Sequence, residues 1–198
     1  MNSDGNCSPL NELAVAQFAK PPELGRINLR VLTPFQRCLL AIDGTVTTFI
    51  EAYMQEPVEI RRLSQTTVPL IVDHPWLEMP KGAMVVKREV LIEGKYSRTL
   101  YVYASSLVVL ERLSAAVRQR LEIHGAGLGR ILNETEMETR REVLWYGAEH
   151  AKTAAGSVRS RTNGKFLTRT YRIINKGQPI ALVPERFPAD IDQSPSHH

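Results

Sequence analysis

Disulfide chemistry has almost no material here: of 198 residues two are cysteine, Cys7 and Cys38. Cys7 falls in a polar N-terminal segment and Cys38 on an expected core helix, so a single conceivable pair makes no disulfide framework and a reducing compartment is expected. Long apolar runs are missing too. No stretch approaches the roughly 18 residues that a membrane-spanning helix needs. The start, "MNSDGNCSPLNELAVAQF", has neither the basic n-region nor the apolar h-region of a signal peptide. A cytoplasmic protein with no membrane span is expected. There is no internal repeat, no low-complexity block and no serine or cysteine nucleophile motif such as G-x-S-x-G. His74, His124 and His150 lack the spacing of a metal site. The glycine-rich "GAGLG" (125–129) follows an expected helix rather than a strand and lacks the lysine of a P-loop, which argues against a phosphate cradle. Its glycines suit close approach of backbone N–H groups to a ligand.

What is present fits a soluble globular chain: 43% hydrophobic and 23% charged residues. The organisation expected is an N-terminal arm (1–28), broken by "KPPELG", one domain (29–189) and a disordered tail (190–198). The two histidines of the tail are given no metal role. The net charge of +4 and pI of about 9.2 suit a small anionic molecule at least as well as nucleic acid. The denser basic run "SVRSRTNGKFLTRTYR" (157–172) is expected to be a solvated face, because no aromatic platform or recognition-helix motif accompanies it.

Local signals place the elements. In "LTPFQRCLLAIDG", Thr33 is an expected N-cap, Pro34 the first helical residue and Gly44 the stop, while Phe35, Cys38, Leu39 and Ile42 form a helical stripe. "TVTTFIEAYM" reads as a second short helix and "PVEIRRLSQ" as a strand. "MVVKREVLI" and "RTLYVYAS" flank a glycine-containing turn and read as a hairpin. "SSLVVLERL" and "SAAVRQRLEIHG" read as helical, the latter capped by Ser114 and stopped by Gly125. In "ETRREVLWYG" helix and strand periods fit about equally. "FLTRTYRIIN", "KGQ" and "PIALVPERF" form a second hairpin. The fold class is α+β: a central, mostly antiparallel sheet flanked by helices.

Two of these strands carry a misfit. Alternate strand residues share a face, so Met84, Val86, Arg88, Val90 and Ile92 stand together, with one charge among four apolar residues. Ala181, Val183, Glu185 and Phe187 repeat the pattern. Isolated buried charges are costly. Arg88 and Glu185 therefore either pair with each other or snorkel at an edge, or else both line a pocket. In a pocket, arginine grips a carboxylate with a planar fork. A glutamate there meets a ligand hydroxyl, as acceptor when ionised or as donor when desolvation keeps it protonated. An Arg at one end and a Glu at the other suit a small ring carrying a carboxylate and a hydroxyl.

The segments "DGTVTTFIEAY", "KREVLIEGKYSRTLYVYASSL", "GLGRILNETEMETRREV" and "YRIINKGQPIALVPERFPA", in this order, resemble the chorismate pyruvate-lyases, closest to the branch found in cyanobacteria, plastids and actinobacteria. The likeness covers about Thr33 to Ala189. It implies an antiparallel sheet with a buried site closed by flaps, and elimination of pyruvate from chorismate to give 4-hydroxybenzoate for quinone or related aromatic biosynthesis. It implies no metal and no organic cofactor. The matching motifs put the carboxylate-binding arginine at Arg88, a backbone N–H contact at Leu128, the hydroxyl-binding glutamate at Glu185 and a further backbone contact near Thr45. At Thr45 the better-known branch has methionine, and at Gly127 the family often has proline. Arg98 and Arg130 are candidates for the second carboxylate of the substrate, with a solvated hairpin position the alternative for Arg98. The proton leaving the ring passes to the enolpyruvyl methylene or to a protein base. The partner expected is a small molecule, chorismate, bound by a monomer, and no nucleic acid. The same fold serves as the effector-binding domain of some bacterial regulators, so a non-catalytic sensor of aromatic carboxylates is the rival reading. The roughly 30 residues before Thr33 are expected to be too few for a winged helix-turn-helix.

Overall fold

In the computed structural model, which describes residues 14–122, 127–150, 158 and 164–191, Thr33 caps the first helix, α1 (Pro34–Ala41). Its Oγ1 accepts from the Gln36 N–H at 3.2 Å, and the Gln36 side chain accepts in return from the Thr33 N–H at 3.0 Å, a reciprocal capping box. The helix stops before the expected glycine: Ile42 is already extended. A tertiary bond accounts for this, because the Ile42 carbonyl accepts from the Arg169 guanidinium instead of continuing the helix. α2 (Val46–Met54) follows. Ser114 accepts from the Val117 N–H and caps α3 (Ala115–Leu121), whereas the stop expected at Gly125 lies outside the described residues. α4 (Leu128–Glu134) follows.

The strands are β1 (Val58–Pro69), β2 (Met84–Gly94), β3 (Leu100–Val108), β4 (Arg140–His150), β5 (Lys165–Asn175) and β6 (Gln178–Pro188). They form one sheet in the order β1-β2-β3-β6-β5-β4, with every neighbouring pair antiparallel. Both expected hairpins are present. The β5–β6 turn has positive φ at Lys176 and Gly177, the two-residue geometry that matches strand twist. "ETRREVLWYG" resolves to strand. "SSLVVLERL" is not helical: Ser105–Val108 complete β3 and only Leu110–Arg112 turn, as one 3-10 turn. Leu107 and Val108 pair with Leu182 and Ala181, and the Val109 N–H donates to the Ile180 carbonyl, so sheet pairing overrides the local pattern.

The helices cover one face of the sheet, where Phe35, Leu39, Ile50, Val117, Leu121, Ile131 and Leu132 pack on Val86, Ile92, Val102, Ile173, Ala181 and Phe187. The opposite face has its own cluster, Leu77, Val85, Val109, Leu144, Trp145 and Leu182. Residues 14–25 lie along the outer edge of β4. The Val15 and Ala16 N–H groups donate to the Val143 and Leu144 carbonyls, and Gly25 bridges Ala148. Gln17 exchanges two side-chain bonds with the Tyr146 backbone. That edge is thereby covered.

Candidate active site

Strand pairing sets the helix-facing side of the sheet in rows. Val90, Ala104, Glu185, Arg169 and Tyr146 stand side by side from β2 to β4. One row over, Arg88 stands beside Ser106, and Val183 beside Tyr171 and Val143. Arg88 on β2 and Glu185 on β6 are thus separated by β3, whose side chains there are Ala104 and Ser106. These two small residues leave a floor between the charges. A cavity of about 70 Å³ sits above it, walled by Arg88, Val90, Tyr171, Val183 and Glu185 and roofed by residues 44–47 and 127–130.

Arg88 is 2% exposed. Burial, and then the nearby charge of Arg62, push its pKa down to about 10, with Glu122 acting the other way. It stays cationic at neutral pH. Its buried Nε–H meets no acceptor among the described residues, while the side chain makes other interactions.

Glu185 is not paired with Arg88. Its Oε2 accepts from Nε of Arg169 at 2.8 Å and stands 2.8 Å from Nη2 of the same guanidinium in an ion pair, and its Oε1 accepts from the Tyr171 hydroxyl at 3.1 Å. Arg169 is 1% exposed, donates to the Ile42 carbonyl, and lies 5.2 Å over the Tyr171 ring and 5.7 Å over the Phe187 ring. Burial, reinforced by the Glu185 charge, raises the Tyr171 hydroxyl far above its ordinary range, so it stays a donor. Arg169 and Tyr171 escaped sequence reasoning. They belong to the basic run read as a solvated face. That reading fails for Phe166 to Tyr171, all buried in β5; the missed signal is the alternation in "LTRTYR". The rest of the run, apart from Val158, Gly164, Lys165 and Arg172, lies outside the described residues.

Thr45 and Leu128 both reach the cavity. Thr45 precedes α2, and its Oγ1 accepts from Asn133 Nδ2 at 3.3 Å, which joins the two roof segments. Leu128 opens α4, so its N–H has no acceptor within the helix. At Gly127 a Cβ would stand 2.5 Å from Ile60 Cδ1, so glycine lets α4 close onto β1. Outside lies a wide groove of about 860 Å³ that shares Thr45, Thr47, Ile60 and Arg130 with the cavity and forms its mouth. Arg130 is exposed and bonded to Glu134 at 2.9 Å. Arg98 lines only the groove, where it pairs with Glu59 and Glu93. Arg141, which the sequence did not single out, lines the cavity. His74 is used in a turn, its Nδ1 accepting from the Leu77 N–H.

Residues 40–194 match the family model described as chorismate pyruvate-lyase Rv2949c-like. A Mycobacterium tuberculosis protein named chorismate pyruvate-lyase is 27% identical over 174 residues, 85% of this chain and 87% of that protein. Its Mycobacterium leprae namesake is 29% identical over 83% of this chain and 79% of its own. Among solved structures, PhnF from Mycobacterium smegmatis superposes with a TM-score of 0.59 at 11% identity, over 74% of this chain; the chain spans 64% of PhnF and 90% of its separately solved effector domain. That likeness shows the fold alone.

Proposed function

Because this chain belongs to the Rv2949c-like chorismate pyruvate-lyase family, we propose that it eliminates pyruvate from chorismate to give 4-hydroxybenzoate, without a metal or organic cofactor. The observation that carries this reading is the spacing of Arg88 and Glu185 across the small floor of Ala104 and Ser106. The space between them suits one ring, with a carboxylate at the arginine and a hydroxyl at the glutamate.

In this reading Arg88 and the Leu128 N–H hold the ring carboxylate, and a backbone group near Thr45 adds a further contact. Glu185 accepts from the ring hydroxyl that becomes the phenol. Its charge is balanced by Arg169, so it acts as an acceptor. The bond between the ring and the ether oxygen breaks, and the hydrogen of the neighbouring hydroxyl-bearing carbon passes as a proton, directly or through a base, to the enolpyruvyl methylene, so that pyruvate departs as the ring becomes aromatic. The chain needs only to hold one conformer and offset the charge that moves to the ether oxygen. In this reading the chain acts as a monomer.

The test is to mix purified protein with chorismate in EDTA and follow both products by chromatography. Equimolar 4-hydroxybenzoate and pyruvate support the lyase. The fold shared with a regulator's effector domain supplies the rival reading: tight binding of 4-hydroxybenzoate with no turnover would replace the lyase with a sensor.

A further inference from the structure

Arg141 enters the cavity from β4, at the other side of the sheet from Arg88 on β2. Its Nη1 donates to the Asp43 carbonyl at 3.1 Å. Its Nη2 lies beside Thr45 and Gly129; a Cβ on Gly129 would stand 3.2 Å from it. Two other arginines on this side of the sheet are committed to carboxylates, Arg130 to Glu134 and Arg169 to Glu185. Among the described residues Arg141 forms no ion pair, and its bond to a backbone carbonyl leaves the charge unbalanced.

The substrate proposed above is a dianion and the aromatic product a monoanion. Arg88 meets the carboxylate that both share. The second carboxylate sits on the enolpyruvyl group, whose ether is on the ring carbon next to the hydroxyl-bearing one. With the hydroxyl at Glu185, the enolpyruvyl group on the neighbouring ring carbon leaves to one side of the line from Arg88 to Glu185. Arg141 stands to the side of that line, two strands beyond Glu185 and in the row of Val86, Val108, Ala181 and Ile173, with the Arg88 row between it and the row of Glu185. We infer that Arg141 binds the enolpyruvyl carboxylate, with Gly129 leaving room for its guanidinium. Arg141 then distinguishes the dianionic substrate from the monoanionic product, so that loss of pyruvate removes the contact and favours release.

This inference rests on the lyase reading, which wild-type turnover of chorismate tests by itself. Its own test is the pair of constants for Arg141→Met: KM for chorismate, and the inhibition constant of 4-hydroxybenzoate. KM is expected to rise at least tenfold while the inhibition constant stays within twofold, with Arg141→Lys recovering part of the loss. Gly129→Ala, which crowds Nη2 and keeps the charge, should raise KM in the same direction; it and Arg141→Lys carry the test if Arg141→Met does not fold. An unchanged KM would overturn the assignment. So would a parallel rise in both constants, which would mean that Arg141 merely props the roof through Asp43.

Discussion

Arg169 and Glu185 form a fully buried ion pair on adjacent strands, two guanidinium nitrogens converging at 2.8 Å on one carboxylate oxygen. The other carboxylate oxygen takes the Tyr171 hydroxyl, and the remaining guanidinium nitrogen reaches the Ile42 carbonyl beside the cavity roof. The glutamate proposed to meet the ligand is therefore held by a scaffold that also fixes where α1 ends.

Breaking that pair from one side strands a buried charge. Arg169→Met is expected to cost about 3–5 kcal/mol, read as a lower urea midpoint. Removing both charges in Arg169→Met with Glu185→Leu should recover part of this, since an apolar pair replaces two desolvated ions while the Tyr171 hydroxyl and the Ile42 carbonyl lose their partners. The double variant should still lack turnover. A double variant as unstable as the single one would mean the pair is not an isolated unit.

Arg88→Met separates affinity from stability. Loss of a buried, charge-assisted anchor should weaken 4-hydroxybenzoate binding by about 2–5 kcal/mol, measured by calorimetry. Thermal stability should hold or rise, because desolvation already disfavours the cation at this position.

Arg98→Ala should leave KM for chorismate within threefold. Arg98 lines the outer groove; its pair with Glu59 is exposed and contributes little, and the buried Glu93 that it also meets keeps its pair with Arg61. A KM increase of tenfold would place the second carboxylate in the groove instead of the cavity.

Glu56 predicts an acid limb of stability. Partial burial alone would raise its pKa; bonds from the Ser97 and Tyr101 hydroxyls and from the Ser97 and Tyr96 N–H groups outweigh that and bring it down to about 2, from an ordinary 4.5. A carboxyl depressed on folding adds stability above its unfolded pKa and loses it as pH falls through the folded value. The contribution should fade between about pH 4.5 and 2. Glu56→Gln should cost about 1–2 kcal/mol at neutral pH, allowing for solvent screening at this half-buried site, and flatten melting temperature against pH in that window.

Several features were legible locally. Thr33, Pro34 and Gln36 announce α1, and Lys176-Gly177 between two β-rich runs announces the last hairpin, because caps and turns depend on residues close in sequence. Period-two alternation put Arg88 and Glu185 on the faces where the structure has them. "SSLVVLERL" was misread because its fate depends on β6, some 70 residues away.

The sequence by itself determined which face of β2 and of β6 carries a charge among apolar residues, and so that two charges are turned inward. Which residue meets each charge was decided only by the assembled sheet. Asn175 pairs with Gln178 and Ile174 with Pro179, but an irregularity between Ile173 and Ile174 slips the register, so that Ile173 pairs with Ala181 and Arg169 with Glu185. Without that slip Glu185 would stand opposite Thr168. A one-residue shift exchanges the faces of a strand, and here it puts a guanidinium, rather than a hydroxyl, against the buried carboxylate.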